Sequence, residues 1–126
     1  MGLLMGKYEK KLKSLGVILP NAPAPAANYV PFVKIDSLVY VSGQISLGPN
    51  GLIKGVLGKD MAVEQGKLAA RQCAINLLAQ VKVACDGDLD RLTQVIKLGG
   101  FVNSTPNFFE QPSIITVSYT HLRAHE

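Results

Sequence analysis

Ser37 to Ile53 reads SLVYVSGQISLGPNGLI, and the fold is decided by how this stretch is taken. Leu38 to Ser42 is a β-branched and aromatic run, the composition of a strand, and Gly43 ends it. Pro49-Asn50-Gly51 then supplies turn chemistry, because proline presets the first turn position and glycine tolerates a positive φ. The stretch predicts a β-hairpin.

Upstream, PNAPAPAANYVPF places Pro20, Pro23, Pro25 and Pro31 within twelve residues. Proline fixes its own φ and pushes its predecessor toward extended backbone, so this segment reads as an arm rather than a helix. Before the arm, YEKKLKSLG sets Tyr8, Leu12 and Leu15 on one helical face with lysines opposite, and Gly16 can terminate the helix.

Downstream, Asp60 is placed to cap a long helix, with Glu64 adding negative charge to the first turn. Ala70, Ala74, Leu77, Leu78, Val81 and Cys85 recur at three- and four-residue spacing, which is an apolar helical stripe ending near Asp86-Gly87. Thr93 to Asn103, TQVIKLGGFVN, reads as a second strand run, with Gly99-Gly100 marking a bulge or a close backbone approach. Arm, hairpin, helix and strand in this order suit an α+β sheet with helices on one face.

The chain has 126 residues, 48% of them apolar and 6% aromatic, and no Trp. With a mean hydropathy of +0.21 it reads as one globular domain, not a disordered chain. Few aromatics argue against a stacking platform for single-stranded nucleic acid. The formal charge is +4, but Lys7, Lys10, Lys11 and Lys13 concentrate it at the start. That is a solvated helix face, not the stripe a nucleic-acid binder carries across its domain. Cys73 and Cys85 form no CxxC pair and have no further cysteine to build a metal site, so they read as free thiols suited to a reducing cytosol. No apolar run reaches the ~18–20 residues that span a bilayer. The start resembles neither a signal peptide nor, with Gly6 where Ser or Thr is wanted, a myristoylation site. A cytoplasmic location with no membrane or nucleic-acid partner is expected.

Familiar catalytic motifs fail on inspection. Asp86, Asp88 and Asp90 begin like a calcium loop, but Arg91 stands where glycine is needed and Lys97 where a bidentate Glu is needed. GVLGKD lacks the first glycine and the hydroxyl of a phosphate loop. Ser42-Gly43 has Tyr40 in place of the upstream glycine of a nucleophile elbow.

Three separated segments, PNAPAPAANYVPF, LVYVSGQISLGPNGLI and VIKLGGFVNSTPNF, resemble the RidA (YjgF-like) family of enamine/imine deaminases. The similarity runs from about Leu15 to Ile115. It implies a chorismate-mutase-like α+β fold, with a mixed six-stranded sheet and two helices on one face, and a homotrimer with ligand clefts between subunits. The implied chemistry is cofactor-free and metal-free hydrolysis of 2-imino acids to 2-keto acids and ammonia, as in a 2-iminobutanoate/2-iminopropanoate deaminase. Carried over by matching position, Tyr29 lines the pocket, Ser42 and the backbone of Gly43 form its floor, and Asn107 adds a polar wall. Each also has a plain structural reading: Tyr29 packing the arm, Ser42 capping a strand end, Asn107 serving a turn beside Pro106.

No catalytic residue is assigned. The family's carboxylate-gripping arginine belongs to an "ARS"-like segment before the last strand, and a late Glu helps activate water; neither segment is recognisable here, and Arg123 in HLRAH does not match. The final VSYTHLRAHE resembles a translated transposase sequencing adapter, GTC-TCT-TAT-ACA-CAT-CTC-CGA-GCC-CAC-GAG. The expected organisation is therefore a basic amphipathic helix at 1–16, a partial domain at 17–116 lacking the second helix and last strands, and a non-native tail at 117–126. Such a chain is expected to lack deaminase activity. The alternative is a non-catalytic trimeric module that binds a small molecule or a protein.

Overall fold

The computed structural model describes residues 6–24 and 28–122. Pro25 of the arm, Met1 to Met5, and Arg123 and His125 of the tail lie outside the described residues.

Helix α1 spans Lys7–Ser14 and buries Leu12, with Tyr8 half-buried one turn earlier. Leu15, expected on the same face, is exposed as the residue at which the helix stops, and Gly16 follows with φ +78°. The N-terminus of α1 is capped from a distance. The Asp90 carboxylate accepts the backbone N–H groups of Lys7 and Tyr8, both at 2.8 Å. Lys82 also bonds Glu9 at 3.0 Å, so the helix is docked on the domain with its lysines outward.

Those two N–H bonds favour the ionised form and hold the Asp90 carboxyl below its ordinary range. A carboxylate with a depressed folded-state pKa stabilises the fold above the unfolded pKa, and that stabilisation is lost as pH falls through the folded value. Asp90→Ala is expected to release α1 at neutral pH. Limited trypsin digestion would read this as faster cleavage after Lys7, Lys10, Lys11 and Lys13, and an unchanged rate there would contradict the capping role.

Strands β1 (Phe32–Ile35) and β2 (Leu38–Val41) form an antiparallel hairpin with Phe32 opposite Val41 and Ile35 opposite Leu38. β3 (Leu47–Gly48) and β4 (Gly51–Leu52) form a second hairpin around Pro49-Asn50, with Gly51 at φ +105° as the turn chemistry requires. The expected single mixed sheet is thus corrected: among the described residues there are two separate two-stranded antiparallel ladders.

Helix α2 spans Val63–Ala84. Asp60 does not cap it, because its carboxylate accepts the Val56 N–H at 2.6 Å inside the preceding turn. The start is fixed by Gln65, whose side chain accepts the Ala62 N–H at 3.0 Å. Ala70, Ala74, Leu78 and Cys85 of the expected stripe are buried, while Leu77 and Val81 are half-buried. The Gly87 N–H closes the helix end on the Lys82 carbonyl at 2.9 Å. A single 3₁₀ turn follows at Leu89–Arg91.

Thr93 to Asn103 forms no strand. A strand needs a ladder, and among the described residues no hydrogen bond reaches Thr93 to Val102. Ile96 and Phe101 are left 74% and 103% exposed. Just past the segment, Ser104 makes an isolated bridge to Leu57.

The expected loss of the second helix is also corrected. Helix α3 spans Gln111–Leu122 and packs on α2, with Ile114, Ser118 and Leu122 buried. Ser118 donates to the Ala70 carbonyl at 2.6 Å. One core cluster joins Leu12, Val17, Ala74, Ile75, Leu78, Leu89 and Leu122, and a second joins Leu57, Ala70 and Ile114. No strand follows α3 among the described residues.

Candidate functional site

The arm and the end of β2 meet at three of the four expected site residues. The ladder outlasts β2 by one rung, because the Ser42 N–H donates to the Pro31 carbonyl at 2.9 Å. The Ser42 hydroxyl donates to the Val30 carbonyl at 2.6 Å. One residue on, the Tyr29 hydroxyl donates to the Gly43 carbonyl at 3.4 Å. Tyr29, Ser42 and Gly43 are therefore one structural unit, with the Tyr29 hydroxyl reaching the Gly43 carbonyl.

Gln44 belongs to the same unit and was not singled out by its sequence. Its side-chain amide donates to the Ser42 carbonyl at 3.1 Å and the Gly43 carbonyl at 3.4 Å. The carbonyls of the turn are thus occupied. Among the described residues the backbone N–H groups of Gly43 and Gln44 have no protein acceptor. Gly43 is exposed, and a Cβ added there meets nothing within 4 Å. Two adjacent N–H groups with no acceptor among the described residues, beside an open glycine, can donate to an anionic or carbonyl oxygen.

The Ser42 hydroxyl proton is committed to Val30, so the residue presents lone pairs rather than a nucleophile poised on a base. Asn107 is not part of this unit. It is exposed in the Pro106-Asn107 turn and no hydrogen bond joins it to the other three. That turn is tied instead to Leu57, whose carbonyl accepts the Thr105 N–H at 2.9 Å.

Other titratable groups are placed outside the unit. Burial pushes the thiols of Cys73 and Cys85 up, with Arg91 partly offsetting the effect at Cys85, so both stay protonated at neutral pH. The His121 ring donates from Nδ1 to the Val117 carbonyl at 2.8 Å along α3. Arg71 reaches the Gly16 carbonyl at 3.4 Å, and Arg91 pairs with Asp86 at 2.9 Å. Among the described residues no cluster of three His, Cys, Asp or Glu could hold a metal, and no helix is long and apolar enough to cross a membrane.

Comparison with known proteins defines the class. A family model described as "YjgF/chorismate mutase-like, putative endoribonuclease" matches residues 9–122. The chain belongs to the YjgF/chorismate mutase-like family.

Among curated relatives, Protein TCP17 of Trypanosoma cruzi is 44% identical over 107 residues, covering 84% of this chain and 66% of that protein. Protein HMF1 of Saccharomyces cerevisiae is 28% identical over 98 residues, covering 78% and 67% respectively. The chain spans about two thirds of the length of these relatives. Two solved structures share the fold. Atu1372 of Agrobacterium tumefaciens, of unknown function, superposes with a TM-score of 0.84 at 42% identity, over 94% of this chain and 73% of that one. A "putative endoribonuclease" of Shewanella oneidensis superposes with a TM-score of 0.88 at 31% identity, over 95% and 80%.

Proposed function

We propose that this chain supplies the substrate-facing wall of an enzyme that hydrolyses reactive 2-imino acids, or their enamine tautomers, to 2-keto acids and ammonia. The observation that carries the reading is the pinned unit of Tyr29, Ser42 and Gly43, with the free N–H groups of Gly43 and Gln44 beside it. An imine carbon is already electrophilic. Water adds to it, the carbon–nitrogen bond breaks, and ammonia leaves the 2-keto acid. The protein has mainly to hold the substrate and orient the water, and such positioning contributes up to about 7–11 kcal/mol. No cofactor or metal is required by that chemistry.

The carboxylate is the natural handle, and losing one charge-assisted contact to it costs about 1.5–3 kcal/mol. Both described arginines are engaged elsewhere, which favours a second reading for the chain by itself: a binding module without deaminase activity. The segment carrying the gripping arginine is proposed to belong to a longer reading frame, with Val117 to Glu126 contributed by adapter sequence. A genomic clone across the Thr116–Val117 junction tests this.

A homotrimer with clefts between subunits fits the exposed Val33, Ile35 and Tyr40 of the first hairpin, together with Ile96 and Phe101. Apolar surface of this kind is ordinarily covered by a partner. The endoribonuclease wording belongs to the description of the family model and to the name of one structural neighbour. Here the His121 ring, the one histidine among the described residues, is bonded to the Val117 carbonyl of its own helix, which favours the imine reading over that chemistry.

The decisive assay generates 2-iminobutanoate in situ and follows 2-oxobutanoate release. The protein from the complete reading frame is expected to accelerate release, and the 126-residue chain is not. No acceleration by a folded trimer of the complete protein would leave the binding module.

A further inference from the structure

Helix α2 carries three amides at four-residue spacing, Gln72, Asn76 and Gln80, and the last two are buried among apolar residues such as Ile75, Leu78 and Ala79. Asn76 and Gln80 are each only 2% exposed. Asparagine is a poor helix former, and a buried amide must be hydrogen-bonded to offset its desolvation, so apolar residues would serve the helix better. What the amides do is bond backbone outside the helix. Asn76 Nδ2 donates to the carbonyls of Ile45 and Leu47, at 3.0 and 2.9 Å. Gln72 Nε2 donates to Asn76 Oδ1 at 3.1 Å, which fixes the orientation of the Asn76 amide. Gln80 Nε2 donates to the Pro23 carbonyl at 2.8 Å.

Along the chain these carbonyls lie on either side of the site residues. Pro23 is on the arm that delivers Tyr29, and Ile45 and Leu47 continue the chain from Ser42 and Gly43. Gly48 makes the approach possible, since a Cβ there would lie 2.9 Å from Gln72 Oε1.

We propose that Asn76 and Gln80, one helical turn apart, are positioning residues that set the arm and the Ser42–Leu47 segment in register, with Gln72 orienting Asn76. The consequence for ligand binding rests on the imine-hydrolase reading; the consequence for backbone order does not. Neither amide titrates, so this positioning is independent of pH. It also makes α2 the rigid reference for a site built entirely from loop and strand-end backbone.

The test uses Asn76→Leu and Gln80→Met, which keep volume and improve helix propensity while removing the donors. Amide hydrogen exchange provides two reporters, the Ser42 N–H bonded to Pro31 and the Ile53 N–H bonded to Ser46. With the helices intact by circular dichroism, Asn76→Leu is expected to speed Ser42 exchange by about tenfold or more. Both variants are expected to weaken 2-oxobutanoate binding by about tenfold or more. Faster exchange at Ile53 alone would make Asn76 a hairpin anchor and overturn the positioning role, as would unchanged exchange at Ser42. Unchanged 2-oxobutanoate affinity in the variants would overturn it too. If the complete folded protein binds no 2-oxo acid, the imine reading falls, and the exchange rates alone decide the positioning role. If Asn76→Leu does not fold, Gln80→Met decides, read by Ser42 exchange.

Discussion

Leu57→Ala is expected to lower the unfolding free energy by about 2–5 kcal/mol, a large part of the ~5–15 kcal/mol that holds a domain of this kind together. Leu57 is 3% exposed and sits where three parts of the chain meet. Its N–H donates to Asn103 and its carbonyl accepts from Thr105, both at 2.9 Å, so the Asn103–Thr105 segment hangs on its backbone. Its side chain fills the space above Gly66, where an added Cβ would lie 2.8 Å from a Leu57 methyl and 2.9 Å from Ile114. Removing that side chain leaves a hole among Ala70, Ile114 and Val63, and Gly66 has no side chain to reach into it. The Ser118–Ala70 bond already fixes how closely α2 and α3 approach. Urea denaturation measures the loss; a change below about 1 kcal/mol would show that the second core cluster is dispensable.

Why Leu57 escapes a reading of the sequence is instructive. It lies in KGVLGKD, which has neither helical nor alternating period, so nothing local marks it as buried. Its burial comes from elements distant along the chain. The same limit explains Asp60, whose residue type suits a helix cap but whose carboxylate is taken by Val56 four residues earlier. Thr93–Asn103 has the composition of a strand, yet composition supplies no partner.

β1 was hidden for the opposite reason. Phe32–Ile35 follows Pro31 and includes Lys34, and it becomes a strand through pairing with the legible β2. What could be read locally was the long period of α2 and the Pro49-Asn50-Gly51 turn, because both are enforced by residues within a few positions of each other.

At the site, Ser42, Gly43 and Tyr29 were legible through family resemblance, and their mutual hydrogen bonds follow from the hairpin bringing the arm beside β2. Asn107 was named on the same basis but is separate from them. Gln44 and the amides of α2 carried a signal that passes easily for surface polarity. Gln72, Asn76 and Gln80 fall on one helical row, and Asn76 and Gln80 occupy its buried face, where polar residues need a reason.

Gly43→Val is expected to weaken 2-oxobutanoate binding while leaving the fold intact. The backbone at Gly43 is not in the left-handed region, and an added Cβ meets nothing within 4 Å. A β-branched residue suits the extended end of a strand. A Cβ at this position is therefore accommodated by the fold. On the proposed reading a ligand approaches the N–H groups of Gly43 and Gln44 from this open side, which the valine side chain would narrow. The expected loss of 2-oxobutanoate affinity is about tenfold or more, with an unchanged melting temperature. A loss of affinity accompanied by unfolding would instead show that the glycine serves the turn.

On the proposed reading the Tyr29–Ser42–Gly43 unit receives the acid. A titration of the complete folded protein with 2-oxobutanoate, followed through its backbone amide resonances, decides this. Saturable shifts centred on Gly43 and Gln44 that vanish in Gly43→Val are expected. Saturable shifts confined to other residues, or none at millimolar acid in the complete folded protein, would contradict it.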